Sequence, residues 1–167
     1  FVRRAVLWYD ARLAASFRSD AAAHPGCRPG ASRTLREAGR SPFAKATMNI
    51  AMFAWEALEG IAVGGGAVYA SRLAAALAKA GHRVRLFTRL GPGQAMEEAV
   101  GGIRVSRCPW DRKAGFFDEI EALSHSFVHY FAQAMKNDGP YDVVHCHEWF
   151  TIGAGLRATA VCPARLA

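Results

Sequence analysis

The stretch that decides the fold runs from residue 48 to residue 89 and reads MNIAMFAWEALEGIAVGGGAVYASRLAAALAKAGHRVRLFTR. It opens with residues 49–55, a continuous apolar run of strand length, and closes with the alternating segment 83–89. Between them, residues 67–80 carry apolar side chains at helical spacing and are followed by Gly81, a typical helix-stopping residue. This order predicts two parallel strands joined by a helix.

The same alternation continues towards the C-terminus. Residues 102–108 and 141–146 are two further predicted strands, and residues 117–137 place their apolar side chains on one helix face. Another helix is predicted to begin near Thr151. The predicted order β-α-β-β-α-β-α indicates an α/β fold, a Rossmann-like parallel sheet with helices on both faces.

The first 47 residues differ in composition from the rest of the chain. They hold nine Lys or Arg and three Asp or Glu, against twelve and eleven in residues 48–167, so they carry most of the net charge of +7. A His-Pro-Gly-Cys-Arg-Pro-Gly cluster at 24–30 breaks any periodic pattern. Two interpretations of this segment are possible. It is a targeting leader, or the reading frame is over-extended and translation naturally starts at Met48. The three acidic residues favour the second interpretation, because targeting leaders are poor in acidic residues. We predict a disordered or non-native leader at 1–47 and a partial domain at 48–167.

Composition excludes several classes of protein. A chain of 167 residues that is 51% hydrophobic can bury a core without a disulfide or metal staple. Residues 48–167 are nearly neutral, so no basic face for nucleic acid is predicted. No apolar run reaches the roughly 18 residues of a transmembrane segment. The four cysteines form no C-x-x-C pair, which favours reduced thiols in a cytoplasmic protein.

Three consecutive glycines, Gly64, Gly65 and Gly66, lie between the first strand and the predicted helix. We expect unpaired backbone N–H groups there, and together with the helix dipole they favour a phosphate. A loop that only turns the chain is the alternative. The dinucleotide fingerprint is not met, because Tyr69 stands where its third glycine belongs and no acid ends the second strand. No Lys follows the glycines, so a Walker A loop is not predicted either.

Residues 145–149 read HCHEW and follow the last predicted strand, at the end where ligands of open α/β sheets bind. His145 and His147 share one face of an extended segment, but two ligands alone do not make a metal site, so none is predicted. A catalytic Cys146–His147 pair is disfavoured, since neighbours on a strand face opposite ways. We interpret His145 as a buried strand histidine bonded to the backbone, and His147 as the contact for a sugar hydroxyl or carbonyl group.

Four segments follow one another in a recognisable order: MNIAMFAWE from residue 48, VGGGAVYASRLAAALAKAGHRVRLFTRLGPGQ from 63, GGIRVSRCPWDR from 101 and YDVVHCHEW from 141. Together they resemble the N-terminal domain of retaining glycosyltransferases of the GT-B fold. The nearest group is glycogen and starch synthase-like or sucrose synthase-like (family 4/5-like). The resemblance runs from residue 48 to about residue 157.

The resemblance implies an enzyme that moves a glucosyl-type unit from a UDP- or ADP-sugar to a glucan or other carbohydrate acceptor, without a cofactor. In this family the C-terminal domain binds most of the nucleotide-sugar, and the N-terminal domain binds the acceptor. By resemblance, His147 lies near the transferred sugar and positions it. The other implied contacts are Gly64, Gly65 and Gly66 for the donor diphosphate, and Glu56, Glu148 and Trp149 for acceptor or sugar.

Two features depart from the family pattern. Synthases of this group often carry Lys two residues before the first glycine, where this chain has Ala62. The sequence also stops at residue 167, so we expect a hexosyltransferase fragment that is incomplete at its C-terminus, lacks the C-terminal domain and is inactive alone. The alternative is a non-catalytic Rossmann-like module that binds a phosphorylated metabolite.

Overall fold

The computed structural model describes residues 46–167, so the leader predicted at 1–47 lies outside the described residues except for its last two positions. Three helices and six strands occur within this described part, together with a 3₁₀ turn at Trp149–Thr151. In chain order the elements are β1 (Asn49–Ala54), α1 (Gly65–Lys79), β2 (Arg83–Arg89), β3 (Glu97–Val100), β4 (Ile103–Cys108), α2 (Phe116–Asp138), β5 (Val143–His147), α3 (Ile152–Val161) and β6 (Arg165–Leu166).

Within residues 46–167 the strands form one sheet in the order β3-β4-β2-β1-β5-β6. Neighbouring strands are parallel, except that β3 runs antiparallel to β4. β1 lies inside the sheet and pairs with β2 on one side and with β5 on the other. The predicted α/β fold with a mostly parallel sheet is confirmed.

Helices cover both faces of the sheet. Successive side chains of a strand point to opposite faces, so each central strand contributes to two hydrophobic clusters. From β1, Ala51 and Phe53 pack on the α2 and α3 side, where Phe53 stacks on Phe127 with ring centroids 5.4 Å apart. Ile50 and Met52 pack on the α1 side. The first cluster is aromatic, and the second contains the small helix residues Ala70 and Ala74.

The two outermost strands were not predicted from the sequence. β3 has the sequence EEAV and is exposed throughout, so no alternation of apolar residues marks it. It joins β4 through Gly101 and Gly102, whose φ angles of 58° and 83° suit glycine in a tight turn. β6 has two residues and pairs with β5, which is too short a segment to show any period.

A buried ion cluster ties α2 to the amino end of the sheet. The Arg85 side chain donates to both carboxylate oxygens of Asp138, from Nε at 2.6 Å and Nη2 at 3.1 Å. Asp138 also accepts hydrogen bonds from the Tyr141 hydroxyl at 2.8 Å and from Arg104. Burial tends to raise the pKa of Asp138, but the hydrogen bonds from Arg85 and Tyr141 and the charges of Arg85 and Arg104 outweigh it, so this pKa is lowered.

We expect Asp138→Asn to lower the free energy of unfolding by about 2 kcal/mol at neutral pH, because charged hydrogen bonds of a buried carboxylate are lost. Since folding lowers the pKa of Asp138, its stabilising contribution is complete above the unfolded value of about 4. That contribution is lost as the pH falls through the folded value. Urea unfolding followed by circular dichroism across this pH range measures the difference between variant and wild type.

The control is Asp111→Asn, because Asp111 is an exposed carboxylate paired with Lys113 at 3.5 Å. It should change stability by less than about 0.5 kcal/mol at any pH. A difference between Asp138→Asn and wild type that stayed constant down to acid pH would contradict the assigned ionisation.

Candidate functional site

The candidate site lies at the carboxyl edge of the sheet, where β1 and β5 end side by side. Ala54 is paired with His147 in the parallel register of these two strands. The chain leaves β1 through Glu56 and returns at Gly64 to begin α1. The fold therefore brings most of the predicted site residues to one place, although they come from distant parts of the sequence.

Glu56 closes the loop in front of α1. Its side chain is buried, and Oε2 accepts the backbone N–H groups of Val63 and Gly64 at 2.8 Å each. The expectation of unpaired N–H groups in the glycine loop is therefore wrong at Gly64. The physical reason is that the positive end of a helix attracts a carboxylate from within the chain as readily as an external anion.

Two carboxylates converge on the backbone of Gly66. A Cβ atom at this position would lie 2.5 Å from Oε1 of Glu148 and 2.6 Å from Oε1 of Glu56. Such distances are far below van der Waals contact, so a Cβ atom at residue 66 would require the ends of both glutamate side chains to move. The sequence pointed to all three residues without revealing that they meet.

Glu148 has a strained backbone, with φ 71° and ψ 159°, and no other non-glycine residue among 46–167 has a positive φ. This region of conformational space belongs essentially to glycine and costs another residue about 1–3 kcal/mol. The buried Thr151 holds the turn. Its hydroxyl lies 3.0 Å from the carbonyl oxygens of both His147 and Glu148, and its N–H donates to the Glu148 carbonyl at 3.2 Å.

His147 packs its ring face against Tyr69 of α1, with ring centroids 5.1 Å apart and planes 19° from parallel. Stacking fixes the plane of the imidazole and leaves hydrogen bonding to the nitrogen atoms on the ring edge. The ring of His145 lies 6.0 Å from that of His147. Burial, and then the charge of His147, lowers the pKa of His145, so this side chain is neutral at pH 7.

The structure does not support a backbone hydrogen bond at Nε2 of His145. This atom is buried and has no hydrogen-bond partner among the described residues. Nε2 of His145 is buried, as predicted. The predicted hydrogen bond to the backbone is not made by this atom. His145 therefore places a neutral imidazole ring next to the ring of His147.

Arg89, at the end of β2, was missed by the sequence analysis. Its side chain is buried, and Nε donates to the Trp55 carbonyl at 2.6 Å. The guanidinium carbon lies 4.3 Å from the ring centre of Trp55 and 5.5 Å from that of Trp110. Burial lowers the pKa of Arg89. Arg89 therefore holds Trp55 in place through cation–π and hydrogen-bond contacts, immediately before Glu56.

The ring of Trp149 belongs to a different group of side chains from the carboxylates. Its centroid lies 6.3 Å from the rings of both Phe116 and Phe117, which begin α2. We call these three exposed residues the aromatic surface. Trp149 was predicted together with Glu56 and Glu148, and the structure instead places its ring in this adjoining surface.

Two further properties concern residues 46–167 as a whole. No three His, Cys, Asp or Glu side chains of this part are grouped so that they could hold a metal ion. None of the described helices combines the length and the apolar character needed to cross a membrane.

Comparison with known proteins gives a consistent result. A family model described as "Glycosyl transferase 4-like domain" matches residues 64–166. The chain is 30% identical over 125 residues to an uncharacterised glycosyltransferase of Methanocaldococcus jannaschii, a match that covers 69% of this chain and 28% of the relative. It is 37% identical over 100 residues to D-inositol 3-phosphate glycosyltransferase of Pseudarthrobacter chlorophenolicus, covering 56% and 23%. The chain thus spans less than a third of either relative.

Two solved synthase structures have a fold similar to that of this chain. Sucrose-phosphate synthase from Thermosynechococcus elongatus superimposes with a TM-score of 0.52 at 22% identity, covering 68% of this chain and 30% of that protein. The catalytic domain of starch synthase IV from Arabidopsis thaliana, solved with ADP and acarbose, gives 0.58 at 17% identity, covering 72% and 33%. At these identities the similarity shows the fold.

We expect Gly66→Ala to lower the free energy of unfolding by about 1 kcal/mol, because the new methyl group overlaps the carboxylate of Glu56, which two backbone hydrogen bonds hold in place. Gly65→Ala is the matched control in the same helix turn, where a Cβ meets nothing within 4 Å. It should be neutral or raise stability by up to about 1 kcal/mol through helix propensity. Urea unfolding compares the two variants, and equal stabilities would contradict the crowding at Gly66.

We expect Glu148→Gly to be about 1 kcal/mol more stable than Glu148→Ala, because only glycine relieves the strained backbone. Both variants remove the carboxylate, so their difference isolates the backbone. At an ordinary position the order is reversed, since glycine loses more conformational entropy on folding. Thermal unfolding of the pair measures the sign, and a more stable alanine variant would refute the strain.

Proposed function

The chain belongs to the glycosyl transferase 4-like domain family and has the fold of GT-B glycosyltransferases, and on this basis we propose a specific reaction for its site. Glycosyl transfer follows from the family. The proposal is that a glucosyl-type unit passes from a UDP- or ADP-sugar to a carbohydrate acceptor, with retention of configuration. Because the chain spans less than a third of the length of either relative, the activity is proposed for a protein of such length, and we propose that residues 48–167 belong to its N-terminal domain.

The observation that carries the proposal is the placement of Glu56 and Glu148 at Gly66, with His147 stacked on Tyr69 of the same helix. Carboxylates and imidazole nitrogens are hydrogen-bonding partners for sugar hydroxyl groups. We assign Glu56 and Glu148 to hydroxyls of the transferred sugar or acceptor. His147, whose plane is fixed by Tyr69, would hold the sugar in position and would not act as a nucleophile.

The two carboxylates also limit where a diphosphate can bind. Glu56 already uses the N–H groups of Val63 and Gly64, and both glutamates repel a phosphate at Gly66. The dipole of α1 still favours negative charge in front of the helix. We therefore propose that the helix contributes only part of the diphosphate stabilisation. Cations outside this domain would supply the rest, as the resemblance implies for the C-terminal domain.

The same electrostatics weigh against the alternative of a module that binds a phosphorylated metabolite at the glycine loop. Such a ligand would meet the carboxylates of Glu56 and Glu148 where the loop begins α1. One relative is named as D-inositol 3-phosphate glycosyltransferase. If this chain used a phosphorylated acceptor, the phosphate would have to lie away from the two carboxylates at Gly66.

The test uses the native gene product, isolated at its full natural length and supplied with UDP-glucose or ADP-glucose and a glucan primer. We expect sugar-dependent release of the nucleotide diphosphate, and we expect His147→Ala to lower kcat/KM by about 100-fold through misplacement of the sugar. His129→Ala is the control, because His129 is exposed on α2. Activity of His147→Ala within a few-fold of wild type would remove the assigned role.

The configuration of the product is measured in the same assay. Nuclear magnetic resonance of the glycoside formed from an α-linked donor should show an α-linked product early in the reaction. A β-linked product would overturn retention and leave glycosyl transfer intact.

A further inference from the structure

We infer that a cavity at the amino edge of the sheet binds the phosphate group of a small phosphorylated molecule. The cavity has a volume of about 260 Å³, and its lining includes Asn49, His82, Arg83, Arg85, Arg104 and Asp138. We call it the amino-edge cavity. None of the residues that line it belongs to the candidate site, which lies at the carboxyl edge. The inference therefore stands apart from the proposed glycosyl transfer.

The amino-edge cavity opens where α2 ends. Along β2, side chains two residues apart point to the same face of the sheet. On the α2 side of this strand, Phe87 belongs to the aromatic core, whereas Arg85 is buried against Asp138 in the last turn of α2. The next side chain on that face, Arg83, is exposed. Residue 83 thus lies beyond the part of the face that α2 covers.

Three arginines share this corner of the sheet. Parallel pairing places Arg83 beside Asn49 of β1. It also places Arg85 beside Arg104 of β4. Neighbouring strands are about 4.8 Å apart and their paired residues point to the same face. One small ligand can therefore contact more than one of the three guanidinium groups.

Acidic side chains neutralise this group only in part. Arg85 donates to Asp138 and also, from Nη1 at 2.5 Å, to Glu97, so its charge is already used within the ion cluster. Arg104 pairs with Asp138, but 59% of its side chain stays exposed. Arg83 forms no ion pair within the part of the chain that the structure describes. One full positive charge is therefore left without a partner at the open side of the cavity.

The end of α2 opposes an anion, but only weakly. The carbonyl groups at the C-terminus of a helix carry about half an elementary negative charge in total. Here the Asn49 side chain donates to the carbonyl groups of Asp138 at 3.2 Å and Pro140 at 3.0 Å. α1 also ends near this edge, but it covers the other face of the sheet. The full charges of Arg83 and Arg104 therefore outweigh the helix dipole.

His82 adds an uncharged hydrogen-bond donor to the lining. Its side chain is buried, and Nδ1 accepts the backbone N–H of Met48 at 3.2 Å. When Nδ1 of a neutral imidazole is the acceptor, the hydrogen is on Nε2. Nε2 has no hydrogen-bond partner among residues 46–167. The fold thus fixes which nitrogen of His82 can donate to a ligand.

The lining favours a phosphate group over a carboxylate. A phosphate monoester carries about 1.5 to 2 negative charges at pH 7 and offers three acceptor oxygens, and guanidinium groups bind it with two parallel hydrogen bonds. It can therefore accept from Arg83, Arg104 and His82 together, whereas a carboxylate has one charge and two oxygens. Pockets for drug-sized ligands measure roughly 300–1,000 Å³, so a cavity of this volume suits a smaller molecule.

The experiment titrates the ¹⁵N-labelled 167-residue chain with inorganic phosphate and with glycerol 3-phosphate, at an ionic strength held constant with sodium chloride. Backbone amide signals are followed by nuclear magnetic resonance. We expect saturable shifts of the signals of Gly102 and Arg104, which line the cavity, with a dissociation constant of about 1 mM for the tighter ligand. Glycerol should cause no such shifts, because it lacks the charge.

A pair of variants tests the assigned charge. Arg83→Gln should weaken binding about tenfold, because charged hydrogen bonds to the phosphate are lost. Arg72→Gln is the matched control. It removes the same charge from an exposed position of α1, on the other face of the sheet, and should bind like wild type. Circular dichroism checks that both variants are folded, and the shifts of Gly102 and Arg104 in the wild type do not depend on either substitution.

The two ligands distinguish the source of the phosphate group. Tighter binding of glycerol 3-phosphate supports the inference with an organic phosphate as ligand. Tighter binding of inorganic phosphate supports it with the free ion as ligand.

Four outcomes would overturn the inference. The first is the absence of saturable shifts with either phosphate, and the second is equal weakening by Arg83→Gln and Arg72→Gln. The third is a response at Gly64, Gly65 and Gly66 instead of Gly102 and Arg104, which would move phosphate binding to the glycine loop. The fourth is binding to phosphatidic acid vesicles that is lost in Arg83→Gln while neither soluble phosphate binds, which would assign these arginines to a membrane surface.

Discussion

The structure depends on the pairing of β1 along both of its edges. Every residue from Asn49 to Ala54 is buried, because β2 and β5 flank the strand and helices cover both faces. A ligand cannot reach the side chains of a strand enclosed in this way. It can bind where the chain leaves the carboxyl end of the strand. That point is Trp55 and Glu56, so burial of one short strand decides where the site can be.

Charged side chains are paired at the amino end of the sheet and crowded together at its carboxyl end. At the amino end, Arg85 and Asp138 satisfy one another within a hydrogen-bonded cluster that fastens α2. At the carboxyl end, Glu56 and Glu148 crowd together against Gly66, and Glu148 also has a strained backbone. Paired charges contribute to stability, whereas crowded like charges and strain cost it. The costs are thus concentrated at the end where we place the reaction.

Sequence periodicity was sufficient for the elements that pack on both sides or along one face. β1, β2, β4, β5, α1 and α2 lie within about two residues of their predicted bounds. β3 could not be predicted in the same way, because its backbone pairs with β4 while its exposed residues show no apolar alternation. The side chains of Glu97 and Glu98 pair instead with Arg85 and Arg107. Local propensity carries no record of such pairing.

For the site, the sequence pointed to Glu56, Gly66, Glu148 and His147 but not to their arrangement. The contact of Glu56 with the loop before α1 is a hydrogen-bond pattern of irregular backbone, which has no period to read. The position of the Trp149 ring depends on the unusual φ angle of Glu148, which ends the alternation of β5. Residue types indicate which hydrogen bonds a site can form, whereas the turn at Glu148 can be recognised only from the three-dimensional structure.

The outer strands make the two borders of the sheet unequal as templates for further β-structure. β3 begins with two glutamates, and charged side chains on an edge strand discourage another strand from pairing with it. β6 continues the parallel direction of β5 and carries the exposed apolar Leu166. Growth of the sheet, whether by the same polypeptide or by another molecule, is therefore favoured in one direction only, outward from β6.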